Sequence, residues 1–111
     1  MIDKEKVKDI YLYSREIDMR FGMRKIQAMI SLGFSPDKIL HSAFIFVSRS
    51  HRQIKIYYED EFGTWLMINR LSYGKFQWMK DGEYPRITHE DLDWLLKGVE
   101  IKTKREKEIA I

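Results

Sequence analysis

The run "AFIFVS" at 43–48 constrains this chain more than any other stretch. It is continuously apolar from Ala43 to Val47 and too short for a buried helix, so it reads as a strand covered on both faces. Further strands succeed it. "IKIYYED" at 54–60 alternates, with Ile54, Ile56 and Tyr58 opposing Lys55, Tyr57 and Glu59. "TWLMINRL" at 64–71 is another strand, and in "KFQWMK" at 75–80 Phe76 and Trp78 share a face. "RSHRQ", "DEFG" and "SYG" separate them as turns. The spacing predicts a four-stranded antiparallel meander.

Before the meander, "VKDIYLY" at 7–13 suits a short strand, its apolar residues falling on both parities. Met19, Met23, Ile26 and Ile30 then step by 4, 3 and 4, one stripe of a helix. Asp18 is its expected N-cap or first-turn carboxylate, Gly33 its C-cap, and Pro36 its stop. After the meander Thr88 caps a second helix, which buries Leu92, Leu95, Leu96 and Val99. The fold class is therefore α+β: a short N-terminal strand, a helix, the meander, and a C-terminal helix, with both helices on one face of the sheet. Residues 1–100 form a single domain, and the charge-dense tail 101–111 is expected to be mobile.

Charge separates along this sheet. Alternate turns of a meander lie at the same end. Arg49, His51, Arg52 and Lys55 should therefore gather near Arg70, Tyr73 and Lys75, with Glu59, Asp60 and Glu61 at the opposite end. Arg20 and Arg24, four apart, share a helix face and add to the basic surface. The net charge of +3, from 20 basic and 17 acidic residues, hides this segregation. It permits nucleic-acid contact without demanding it. The alternative is that these arginines are simply solvated or paired with Glu16 and Asp18.

Other chemistry finds little footing. There is no cysteine, and His41, His51 and His89 lack partners at ligand spacing, so neither a metal nor a cofactor is expected. Glu59, Asp60 and Glu61 fit a solvent-facing turn better than an ion site. Tyr57, Tyr58, Tyr73, Trp65 and Trp78 could stack on bases, although core packing is the commoner fate of strand aromatics. No glycine-rich phosphate loop or nucleophile elbow is present. No segment reaches the roughly 18 apolar residues of a membrane span. A soluble cytoplasmic protein is expected, nucleoid-associated when bound to DNA.

Taken in order, "IDMRFG" at 17–22, "FIFVSRS" at 44–50, "RQIKIYYED" at 52–60, "GTWLMINRL" at 63–71, "GKFQW" at 74–78 and "LDWLLKGVE" at 92–100 form a collinear series. This series resembles the TnpB-type accessory proteins encoded by the second open reading frame of insertion sequences of family sixty-six. The resemblance implies a role in DNA transposition beside a separate, larger transposase, with transposon ends and that transposase as partners. It implies no catalysis by this chain. Strand transfer needs carboxylates gathered around two metal ions, and the acids here are dispersed over turns and helix starts.

The leading expectation is thus a non-enzymatic, DNA-associated protein. Arg20, Arg24, Arg49, Arg52, Lys55, Arg70 and Lys75 would be its phosphate contacts. A protein-interaction module, acting through the transposase or as a homodimer, is the second reading. A small metal-independent ribonuclease using Arg49, His51, Arg52 and Tyr73 is the third.

Overall fold

A computed structural model describes residues 6–70, 86–87 and 90. Its core is a mixed sheet in the order β4-β3-β2-β1-β5. The strands are β1 (Asp9–Ile17), β2 (Ser42–Ser48), β3 (Gln53–Asp60), β4 (Gly63–Arg70) and the two-residue β5 (Arg86–Ile87). Helices α1 (Met23–Ser31) and α2 (Pro36–Ile39) connect β1 to β2. β2, β3 and β4 pair antiparallel, as the alternation and turns predict. The sheet is mixed and not an antiparallel meander alone: the N-terminal strand β1 lies beside β2 and runs parallel to it. A parallel pair needs a crossover of a dozen or more residues, and the segment 18–41 with its two helices supplies one. The expected fourth meander strand at 75–80, the C-terminal helix and the tail lie outside the described residues.

β2 is buried along its whole length, as its apolar run requires. It sits at the centre of the sheet, with apolar clusters on both faces. On one face, Ile26 and Ile30 of α1 and Ile39 of α2 pack onto Ile17, Phe44, Phe46 and Tyr57. Phe44 anchors this layer: its ring stacks on Tyr11 at 5.3 Å and meets Phe34 edge-on at 4.9 Å. On the other face lie Ile10, Leu12, Ala43, Ile45, Val47, Ile54, Ile56 and Tyr58. The alternation in β3 thus assigns faces correctly, yet both faces are covered.

Three local expectations change. β1 runs on to Ile17 because of an irregularity after Leu12: β1 advances from Leu12 to Glu16 while β2 advances only from Ile45 to Val47. The two extra residues keep the parity, so Ile17 faces the same layer as Tyr11 and Tyr13. Second, α1 begins at Met23 with Gly22 as N-cap. Asp18 instead closes the turn before the helix, its Oδ1 accepting from the Arg20 amide at 2.9 Å. Arg20 and Arg24 therefore share no helix face. Third, Pro36 does not merely end a helix but opens α2, with Ser35 as N-cap.

The acidic end of the sheet is occupied by local bonds. Tyr57 donates its hydroxyl to Glu59 Oε2 at 2.8 Å, and burial together with that carboxylate pushes the Tyr57 phenol well above its usual range. Asp60 Oδ1 accepts from the amides of Phe62 and Gly63 in the β3–β4 turn. Glu61 meets His41 Nε2 at 3.1 Å. His41 itself adopts a left-handed backbone (φ 63°). That conformation lets its amide donate to Glu59 and its carbonyl accept from Lys8.

Candidate nucleic-acid interface

The parallel pairing of β1 and β2 decides what meets at the basic end. Both strands finish there, at Ile17 and Ser48. The loop 18–22 and the turn 49–52 leave from neighbouring positions. β3 starts at the same end, where Gln53 pairs with Arg70 at the close of β4. An open cleft of about 550 Å³ lies between these segments, lined by Ile17, Asp18, Met19, Arg20, Ser48, Arg49, Ser50 and Gln53. The carboxyl ends of parallel strands are where open α/β sheets commonly place ligands.

The turn 49–52 is braced by its own serines. Ser48 Oγ accepts from the Gln53 amide at 3.1 Å and lies 3.2 Å from Ser50 Oγ, which accepts from the Arg52 amide at 3.3 Å. His51 takes a left-handed conformation (φ 60°), and its ring stands 3.7 Å from Glu16. Arg49 and Arg52 are both exposed on this framework.

The loop 18–22 is anchored from the sheet. Lys55 is only 5% exposed, and its Nζ donates to the carbonyls of Met19 (2.6 Å) and Phe21 (2.7 Å). The expectation of Lys55 as a phosphate contact is therefore corrected. Alternation puts it opposite Ile54 and Ile56, but that side is covered by the loop that leads into α1. Lys25 adds a contact, its Nζ lying 4.3 Å from the centre of the Phe21 ring.

Arg20 is 90% exposed at its side chain, yet it is engaged. Its Nε donates to both Asp18 carboxylate oxygens, and its Nη2 donates to Oδ2 at 2.6 Å. These bonds, the Arg20 amide and the nearby Arg49 charge hold the Asp18 carboxyl at about 2, below the usual 3.8. Because the folded value is depressed, the charged pair is fully present above the ordinary carboxylate range and is lost as pH falls through 2. An NMR titration should find the Asp18 midpoint near 2, and Arg20→Gln should return it toward 3.8. A wild-type midpoint already at 3.8 would show that the pair does not persist in solution.

Arg24, Arg49, Arg52 and Arg70 are exposed, and none is bridged to an acid among the described residues. Arg49, Arg52 and Arg70 meet at one end of the sheet, and Arg24 stands in the first turn of the helix that the loop 18–22 leads into. Lys75 and Tyr73 lie outside the described residues. Sequence reasoning missed Ser48 and Ser50 as braces, although "SRS" was visible, while its alternative of an arginine paired with Asp18 holds for Arg20. No helix among the described residues is long and apolar enough to cross a membrane.

Comparison with known proteins bears directly on these segments. The family described as TnpB_IS66, IS66 Orf2 like protein, matches residues 8–106. The uncharacterized protein y4hO of Sinorhizobium fredii (strain NBRC 101917 / NGR234) is 24% identical over 98 residues, which is 87% of this chain and 85% of that protein. No solved structure matches the chain. The matched span takes in β1, the clasped loop, the serine-braced turn and the whole β2–β4 meander, and on that span the chain belongs to the IS66 Orf2-like family.

Proposed function

We propose that the chain is a non-catalytic accessory protein of IS66-type transposition that holds duplex DNA beside the transposase through the basic end of its sheet. The observation that carries this reading is the convergence of Arg49, Arg52 and Arg70, none bridged to an acid among the described residues. The opposite end turns its acids inward onto tyrosine, histidine and backbone groups. A polyanion approaching this protein meets more positive than negative charge at the basic end. Contacts of this kind position a duplex without reading it.

Each phosphate neutralised contributes roughly −0.9 to the slope of log K against log salt. Arg24, Arg49, Arg52 and Arg70 together should give roughly −3 to −4 on a labelled duplex. Arg49→Gln with Arg52→Gln should make that slope shallower by about 2. A slope near zero, or no binding at low salt, removes the reading.

A second reading rests on its own observation. Phe62 is 82% and Ile68 62% exposed, the large apolar side chains of the β3–β4 turn and β4 most open to solvent. They favour a protein contact, with the transposase or a second copy, on β4 and its turn. Retention of the transposase at high salt, where phosphate contacts are screened, supports that surface.

A further inference from the structure

At the basic end the direction of Arg20 is fixed by an acid, and stability does not explain it, because a solvent-exposed ion pair contributes little. The arrangement is nonetheless thorough. Nε and Nη2 lie side-on against the Asp18 carboxylate. The Arg20 amide is tied to the same carboxylate. The carbonyls on either side of Arg20, those of Met19 and Phe21, are gripped by the buried Lys55.

The consequence is geometric. A guanidinium bound side-on through Nε and Nη2 keeps its end-on edge, Nη1 with the second Nη2 proton, for another partner. That edge offers two parallel donors on a fixed vector. The adjacent carboxylate cancels the charge that would draw a phosphate. Arg20 is thus poor as a point charge and well suited to a planar partner with two adjacent acceptors. In the major groove, guanine alone presents two acceptors, O6 and N7, and arginine is their commonest bidentate donor. Arg49, which lines the same cleft, supplies the phosphate contact beside it.

We infer that Arg20, oriented by Asp18, reads a guanine edge in duplex DNA while the unclasped arginines hold the backbone. This rests on the duplex-binding reading above and adds sequence preference to it. Arg20 would touch the base, and Asp18 is a positioning residue.

The test uses the full-length chain and a pool of duplexes with a randomised core. Wild type should enrich one position in guanine. Replacing that guanine with 7-deazaguanine, which lacks the N7 acceptor, should weaken binding by about tenfold, since a bidentate pair discriminates by roughly 1–3 kcal/mol. Arg20→Lys keeps the charge but lacks the planar fork that carries the side-on clasp and the end-on edge together. It should bind the pool with an unchanged salt slope and a weaker guanine enrichment. Asp18→Asn should broaden the preference, and because it frees the Arg20 charge the slope should stay the same or steepen by up to about 0.9, which a merely structural role for the pair would not produce.

A bound pool that stays random for wild type overturns the inference and leaves the duplex reading standing. So does a guanine preference that Arg20→Lys leaves at full strength. Failure of wild type to retain any duplex at low salt removes both.

Discussion

Lys55→Met is expected to lower the stability of the chain by about 3 kcal/mol, although the replacement preserves most of the buried stem. The loss lies in the two carbonyls that Nζ now satisfies, those of Met19 and Phe21. A part-buried acceptor deprived of its donor costs about 1–3 kcal/mol. Relief from desolvating the amino group offsets some of this. For a domain of this size the thermal midpoint should fall by roughly 10 °C. Hydrogen exchange should localise the damage, with amides of the 18–22 loop opening faster than those of β3. An unchanged midpoint would mean that water replaces Nζ without penalty and that the loop needs no anchor.

Phe44→Ala should be the more damaging change, at about 4 kcal/mol, within the 3–5 kcal/mol range of buried phenylalanine truncations. Phe44 is fully buried, and its ring stacks on Tyr11 and meets Phe34 edge-on. Removing it opens a void between the central strand and α1, where a rigid sheet limits collapse. Phe44→Leu should recover most of the loss. Ile68→Ala is the fitting control: at 62% exposure it should change stability by less than about 0.5 kcal/mol. Urea titration of the three variants reads all of this. Equal losses for Phe44→Ala and Ile68→Ala would contradict the packing described.

Much of this architecture can be read from particular residues. Ala43 to Val47 announces a central strand, and the parity of Ile54, Ile56 and Tyr58 assigns a face. Ile26 and Ile30 mark the buried side of α1. The polarity of the sheet is set by where "RSHR" and "EDE" fall between strands. The direction of β1 is different, because the pattern "DIYLY" reads the same beside a parallel or an antiparallel neighbour. Lys55 misleads for a related reason. Its parity is that of a solvent-facing position, and only carbonyls more than thirty residues away make it interior. Asp18 is a good helix cap by residue type, but its own side chain stabilises a competing turn. The first two misses are long-range contacts overruling a local pattern, and the third is one local preference beating another.

The parallel pairing of β1 with β2 also sets an order on assembly. The β2–β3 and β3–β4 ladders join segments separated by short turns, so they can close early. β1 must wait until the intervening stretch has coiled into its two helices, because the entropy of that closure is met before any contact across it forms. The loop carrying Asp18 and Arg20 is attached to β1. A chain arrested before β1 docks would keep its hairpins and lack the cleft altogether, which makes the cleft a signature of the completed fold.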